Sequence, residues 1–212
     1  MPDLVVIHYT AMETAEAALA RLCDPCAEVS AHWLIDERGV LVRLVAEPDR
    51  AWHAGAGAWG GVTDVNSRSI GIELANRAGT PFPAPQMASL EQLLDGIMAR
   101  WDVPPERVIG HSDCAPGRKI DPGPKFDWAR LAFGGRAISV PLRGGGDAGD
   151  CAAFVAAMRV AGYTGSDDPA LLLAALRLRH RPWAGGPRDG TDMALARDLA
   201  RRFPVDRTRP GP

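Results

Sequence analysis

The chain has no long hydrophobic run and almost no net charge. None of its 212 residues lies in a stretch approaching the about 18 consecutive apolar residues that a membrane-spanning helix needs. The formal net charge is −2, which gives no electrostatic footprint for binding nucleic acid. We therefore expect a protein without a membrane span and without a nucleic-acid partner.

The amino terminus lacks the features of a secretory signal. It opens Met1-Pro2-Asp3 without a basic residue, and the apolar run Leu4-Val5-Val6-Ile7 has only four residues, where about 7–15 are usual. We therefore expect a cytoplasmic protein, or a periplasmic one if a leader has been removed.

Cysteine is scarce and poorly placed for a structural metal site. Of the four cysteines, only Cys23 and Cys26 lie close together, and they follow a helical pattern without the strand-before-helix setting of a redox motif. Cys114 and Cys151 are too far apart to supply a second close pair. We interpret all four as ordinary thiols in a reducing compartment.

Hydrophobic periodicity indicates interleaved strands and helices in the first part of the chain. Apolar residues make up 46% of the sequence, which is ordinary for a globular core. The pattern predicts strands at 3–8, 30–36, 40–46 and 69–74, and helices at 13–23, 84–102 and 126–132. An α/β (α+β) architecture, a sheet with flanking helices, follows from this order.

A glycine-rich stretch divides the chain in two. Its glycines, at 134–135 and 144–146, predict a linker over residues 134–147 between a first domain at 1–133 and a second at 148–207. The second segment carries helical periodicity only. It predicts a small three-helix domain, of a size that can fold alone.

Two histidines and an aspartate suggest a metal site. His8 and His111 each end a short apolar run, and Asp121 follows ten residues after the second. Zinc favours four ligands, so two imidazoles and one carboxylate leave a position for water. Spacing alone leaves open two buried histidines and an Asp-Pro turn, and Cys114 is an alternative ligand that ranks below Asp121.

Three further residues are candidates for chemistry beside that site. Glu73 lies in an apolar strand, where a carboxylate is costly unless it faces water or a partner, and it could act as a general base. Lys119 could place an ammonium near a developing oxyanion. An exposed edge carboxylate and a surface lysine are the alternatives. His53 either lines a substrate cleft or is a fourth imidazole near the metal.

Five segments of the chain follow one another in a familiar order. They are Ile7–Thr10, Ser30–Ile35, Ala51–Gly55, Asn66–Leu74 and His111–Pro124. Together they resemble the zinc-dependent N-acetylmuramoyl-L-alanine amidases of the second type, which share a fold with peptidoglycan recognition proteins and phage lysozyme-like amidases. The resemblance covers residues 4 to about 132, and the last segment is its most specific part.

The resemblance implies a fold and a set of active-site roles. It implies a central mixed β-sheet with helices on its faces, and Zn²⁺ held by His8, His111 and Asp121. It further implies Glu73 as the catalytic carboxylate and Lys119 as the residue near the oxyanion. All three metal ligands of the family are present, which favours catalysis over binding alone.

The resemblance also implies the substrate. This is the amide that joins the lactyl group of N-acetylmuramic acid to L-alanine of the stem peptide, in peptidoglycan fragments or anhydro-muropeptides. We assign the substrate cleft to Trp52, His53, Trp59 and Asn66. A non-catalytic peptidoglycan-binding or sensing protein is one alternative, and a zinc enzyme acting on another acyl-peptide amide is a second.

Two departures from the family and one extension accompany the resemblance. His8 is almost terminal, whereas the family usually has some tens of residues before its first histidine, and Trp33 stands where a tyrosine is common. Residues 148–207 are similar to the three-helix peptidoglycan-binding modules attached to some such amidases. That likeness lies at Ala161-Gly162-Tyr163 and Asp189-Gly190-Thr191, and a packing appendage without a ligand is the alternative.

Overall fold

A single mixed sheet forms the centre of the molecule, for which the computed structural model describes residues 1–205. Its strands are β1 (Leu4–Tyr9), β2 (Trp33–Ile35), β3 (Leu41–Arg43), β4 (Ser69–Leu74) and β5 (Val108–Gly110). They lie in the order β3-β2-β4-β1-β5. Strand β3 is antiparallel to β2, and the other neighbours are parallel. The predicted central mixed sheet flanked by helices is therefore confirmed.

The long helix α3 (Ala84–Trp101) covers one face of the sheet. Alternate residues of the two central strands, including Val5 and Ile70, pack with Leu90 and Leu94 of this helix in one buried cluster. Because side chains alternate across a strand, the neighbouring residues of β1 and β4 point to the opposite face. The central strands are thus buried on both sides, which explains their continuous apolar character.

Four shorter helices surround the rest of the sheet. They are α1 (Ala15–Leu22), α2 (Val65–Arg68), α4 (His111–Cys114) and α5 (Trp128–Phe133). Side chains of Thr14, Asp64 and Asp127 accept backbone hydrogen bonds at the starts of α1, α2 and α5, as helix-capping residues do.

Three helices follow the glycine-rich stretch: α6 (Cys151–Val160), α7 (Pro169–His180) and α8 (Gly190–Arg202). An aspartate caps the start of each one. Their apolar residues form one cluster with Leu4 and Val6 of the sheet. The three helices therefore bury the second face of the sheet near the amino ends of its strands.

The predicted domain boundary at 134–147 stays a prediction. Residues on its two sides share this one hydrophobic cluster. The last two residues of the predicted 148–207 segment lie outside the described part of the chain. Among the described residues, every helix is too short or too polar to cross a membrane.

Candidate metal centre and catalytic cleft

The sheet brings the three predicted metal ligands to one edge. His8 lies near the carboxyl end of β1, and His111 directly follows β5, the parallel neighbour of β1. Parallel strands end at the same edge, so the two imidazoles meet there. The backbone N–H of Ser112 donates to the carbonyl of Asp121 at 2.9 Å, which folds the intervening loop back. Asp121 thereby joins the two histidines.

The three side chains direct one atom each at a common point. His8 Nδ1 lies 3.0 Å from His111 Nδ1 and 2.9 Å from Asp121 Oδ2, and His111 Nδ1 lies 3.1 Å from the same Oδ2. All three residues are buried. Atoms at this spacing can share one ion at the bond lengths of about 2.0–2.2 Å that zinc adopts, with a fourth position left open.

Hydrogen bonds on the far side of His111 determine which ring nitrogen carries its proton. His111 Nε2 lies 2.8 Å from the carbonyl oxygen of Ala54, and a carbonyl can only accept. Nε2 therefore carries the proton, and Nδ1 directs a lone pair at the common point. This is the arrangement of a metal-ligating histidine with its outer hydrogen-bond partner.

A longer relay fixes the proton of His8. The Ser69 hydroxyl donates to the Val65 carbonyl at 2.5 Å and so accepts from His53 Nε2 at 3.2 Å. His53 Nδ1 is then free to accept from His8 Nε2 at 3.0 Å, which leaves a lone pair on His8 Nδ1. Two lone pairs and a carboxylate oxygen thus converge, an arrangement that repels itself unless a cation lies between them.

Electrostatics keeps His8 in the neutral form that binds metal. Burial, followed by the nearby His111, lowers the pKa of His8 to about 4. A buried imidazole beside a second imidazole loses its proton more readily. The donor set therefore fits a divalent cation that takes nitrogen and oxygen ligands, such as zinc.

Glu73 stands next to His8 in the sheet. The two residues are register partners on β4 and β1, and both line the same cavity. Burial, then the charge of Asp121, raises the pKa of Glu73 to about 8, with Lys119 acting in the opposite direction. The Oε2 atom is buried without a hydrogen-bond partner. A carboxylate with a pKa near neutrality suits proton transfer.

The cavity at this edge has a volume of about 530 Å³, within the range of small-molecule sites. Its floor is the metal-ligand trio and Glu73. Trp52 contributes an exposed wall, and Lys119 lies on the loop that carries Asp121. Of the cleft residues predicted from the sequence, Trp52 and His53 line this cavity.

Trp59 and Asn66 lie elsewhere, contrary to the cleft positions predicted for them. Trp59 is only 3% exposed and packs its ring against Tyr163, with centroids 5.0 Å apart. Asn66 accepts hydrogen bonds from the backbone N–H groups of His53 and Ala54. The carboxyl-terminal helical region covers Trp59, and Asn66 shapes the loop that carries His53. Neither lines the cavity.

Two other candidates can be placed in the same way. His53 lines the cavity and is also a third imidazole beside the two histidines of the site, so both positions left open by the sequence describe it. Cys114 is buried in the hydrophobic cluster, its thiol contacts the carbonyl of His111, and burial raises its pKa to about 12. A thiol held in its protonated form is a poor ligand, which disfavours the Cys114 alternative.

Arg118 also lines the cavity, together with His111 and Lys119, and the sequence analysis did not predict it. Its guanidinium contacts the carbonyls of Ala54 and Ala56 and lies 3.3 Å from His111 Nε2. The signal available in the sequence was its position in the loop immediately before Lys119.

The fold and the site together define an α/β protein in which two histidines and one carboxylate could hold a metal ion with a position left open. The chain belongs to the N-acetylmuramoyl-L-alanine amidase family, whose family model matches residues 1–124. The resemblance found in the sequence is thereby confirmed at the level of the family.

Curated relatives match the same part of the chain. N-acetylmuramoyl-L-alanine amidase AmiD of Escherichia coli K12 is 43% identical over 145 residues, which is 61% of this chain and 51% of AmiD. The 1,6-anhydro-N-acetylmuramyl-L-alanine amidase AmpD of Haemophilus influenzae is 44% identical over 103 residues, 48% of this chain and 56% of that protein. The chain spans about half the length of these two relatives.

Solved structures extend the likeness over nearly the whole chain. A complex of AmiD from E. coli with the substrate anhydro-N-acetylmuramic acid-L-Ala-D-gamma-Glu-L-Lys has a TM-score of 0.86 and 33% identity, covering 95% of this chain and 90% of that one. AmpDh3 from Pseudomonas aeruginosa in complex with anhydromuramic pentapeptide has a TM-score of 0.80 and 29% identity, covering 96% and 93%. Both likenesses reach beyond the region of the family model.

Proposed function

We propose that this protein is a zinc-dependent N-acetylmuramoyl-L-alanine amidase. The bond it cleaves is the amide between the lactyl group of N-acetylmuramic acid and L-alanine of the stem peptide. The observation that carries this proposal is the convergence of two imidazole lone pairs and one carboxylate oxygen beside Glu73, in a cavity open to solvent. The family and the muropeptide complexes of AmiD and AmpDh3 support the substrate class.

The proposed roles follow from position. His8, His111 and Asp121 would hold zinc, which when bound polarises a water molecule and the scissile carbonyl. Glu73 takes the proton of the attacking water and passes it to the leaving L-alanine nitrogen. The Lys119 ammonium offsets the negative charge that develops on the carbonyl oxygen.

Further proposals concern the cleft wall, the carboxyl-terminal helices and the location of the protein. Trp52 would form a wall for the sugar or stem peptide, as its 60% exposure at the cavity mouth allows. The helices α6 to α8 would contribute a peptidoglycan-binding-like module. A cytoplasmic location would suit the recycling of anhydro-muropeptides, and a periplasmic one would suit the trimming of the wall.

Mass spectrometry of reaction products tests the activity. The zinc-loaded protein is incubated with intact sacculi and, separately, with soluble anhydro-muropeptides. We expect free stem peptides that begin with L-alanine, from one or both substrates. The Glu73→Gln variant is the matched control, because it keeps all three metal ligands and removes the proton acceptor.

Each alternative predicts a different result. Binding of muropeptide without turnover after zinc loading would indicate a sensing protein. Cleavage of simple acyl-peptides without release of L-alanine from muropeptides would indicate another amide substrate. Full activity after removal of metal by a chelator would contradict every role assigned to the metal centre.

A further inference from the structure

A buried ion pair links α7 to the short helix that carries His111. Arg179 Nη1 lies 2.6 Å from Asp113 Oδ2. Asp113 is fully buried, and the Arg179 side chain is only 2% exposed. The Tyr163 hydroxyl donates to the other carboxylate oxygen at 3.0 Å. Two residues from the carboxyl-terminal helical region therefore hold one carboxylate of the metal-binding half.

Asp113 in turn fixes the backbone around His111. Its Oδ2 accepts the N–H of Gly110 at 2.8 Å, across the start of the four-residue helix α4 that begins with His111. Arg179 also donates to the carbonyl of Val108 in β5 at 3.2 Å, and its guanidinium lies 4.1 Å from the centre of the Trp128 ring. One arginine thus contacts the chain on both sides of His111, at the Val108 carbonyl before it and at the Asp113 carboxylate after it.

The same helical region secures the outer partner of His111. That partner is the carbonyl of Ala54, in a loop that continues to Trp59 and Gly60. Gly60 N–H donates to the Gly162 carbonyl at 2.9 Å, and Thr164 donates back to the Gly60 carbonyl at 2.9 Å. A side chain at Gly162 would overlap the Trp59 ring. The loop and the helical region are therefore packed without spare room.

We propose that Arg179 is a positioning residue for the metal ligand His111, acting through Asp113. The carboxyl-terminal helices then have a part in shaping the metal centre, in addition to any contact with a ligand. A buried carboxylate needs a partner for its charge. Without Arg179, Asp113 reorients or recruits water, and the backbone that aims His111 Nδ1 moves with it. This inference rests on the metal site of the proposed function and is independent of its substrate.

Metal binding by the full chain tests the proposal. Zinc affinity is measured by competition with a chromophoric chelator, and the visible absorption of bound Co²⁺ reports ligand geometry. For Arg179→Met we expect zinc affinity 10- to 100-fold weaker than that of the wild type, the range usual for the loss of an outer partner. We also expect an altered Co²⁺ spectrum. Arg179→Lys, which keeps the charge, should recover part of the affinity.

The chain offers a matched control on the same helix. Arg177 also forms a buried pair, with Asp192 of α8, with Nη2 and Oδ2 2.6 Å apart. The partners of Arg177 all lie within residues 186–192. Arg177→Met therefore removes a buried ion pair that has no link to His111, while Asp192 keeps its second partner, Arg181. We expect this variant to lose thermal stability while keeping the zinc affinity and Co²⁺ spectrum of the wild type.

A milder variant covers the case in which Arg179→Met does not fold. Tyr163→Phe keeps the ring against Trp59 and removes only the hydroxyl that donates to Asp113, and we expect zinc affinity to fall about threefold to tenfold. Wild-type affinity and spectrum in folded Arg179→Met, or in Tyr163→Phe where the first is unfolded, would overturn the proposal. Equal losses in Arg179→Met and Arg177→Met would do the same. Absence of metal binding in the wild type would instead contradict the proposed function.

Discussion

The two faces of the central sheet are built for different purposes. On one face, alternate residues of β1 and β4 pack with the apolar side of α3 in a cluster that also includes Trp128 and Leu131. On the other face, Leu4 and Val6 pack beneath the carboxyl-terminal helices. His8, further along the same strand, lines the cavity. One face therefore contributes only hydrophobic core. The second face contributes core near the amino ends of its strands and site residues near their carboxyl ends.

This division shows how a group of convergent ligand atoms can be precisely placed without being the source of stability. The convergent lone pairs of the site are electrostatically unfavourable without a cation, and Glu73 is a buried carboxylate with an unpartnered oxygen. Such groups reduce the stability of a folded chain. The apolar packing at the other end of the strands, and on the other face, offsets that cost.

The largest contrast is expected from removing a metal ligand. Asp121→Ala leaves two imidazoles, and we expect zinc affinity and amide hydrolysis both to fall by about three orders of magnitude or more. The thermal stability of the metal-free protein should change little, because the apolar packing of the sheet is untouched. Metal analysis, product assays and calorimetry on the same preparations measure all three. A collapse of the metal-free fold would break the comparison.

Replacing the proposed proton acceptor should give the next largest effect. Glu73→Gln keeps the shape of the side chain, and we expect kcat to fall by about 10²–10⁴-fold, the range typical of general acid–base catalysis. Zinc content should stay at the wild-type level, since no metal ligand is altered. An unchanged kcat with normal zinc content would show that another group accepts the proton.

The opposite face should respond in the opposite way. Leu90→Ala leaves a cavity between α3 and the sheet, and we expect the free energy of unfolding to fall by about 2–5 kcal/mol. At a temperature where the variant remains folded, kcat should match that of the wild type, because Leu90 has no contact with the cavity. Denaturant titration and steady-state assays separate the two quantities. A large loss of kcat in the folded variant would mean that the faces are coupled.

The last contrast is a pH dependence confined to the site face. The pKa of Glu73 is about 8 in the metal-free folded protein, against an ordinary value of 4.5. Between these values Glu73 retains a proton in the folded state that it has lost in the unfolded chain, so the contribution of Glu73 to wild-type stability falls as pH rises. Metal-free Glu73→Gln lacks this fall, by at most about 1.4 kcal/mol per pH unit. Parallel stability curves for the two proteins from pH 4.5 to 8 would contradict the shift.

The sequence predicts the elements that follow from local pattern. The strand at 3–8, the hairpin of 30–36 and 40–46, and the helix at 84–102 correspond to β1, to β2 with β3, and to α3. The termini differ by a few residues, and the hairpin strands are shorter, because hydrogen bonding in the sheet sets those bounds. The meeting of His8, His111 and Asp121 also follows from strand ends and a returning loop.

Relations that depend on tertiary packing could not be predicted in this way. Trp59 lies in a glycine- and tryptophan-rich loop, which is typical of a cleft wall. Only its packing against Tyr163 and Gly162 in the folded structure shows that it is buried. His53 packs behind His8 because Gly71, in the middle of β4, has no side chain and leaves room for the His53 ring. A glycine inside a strand marks a close approach, yet it does not say what approaches.

The shared cluster of the second face also limits how such a chain can be recombined. Residues 1–133 transplanted alone into a chimaera would uncover Leu4, Val6 and Trp59, which α6 to α8 bury in the intact chain. An uncovered apolar patch of this kind promotes aggregation. An exchange of the carboxyl-terminal helices must therefore also match the apolar residues of the sheet and loop that these helices cover.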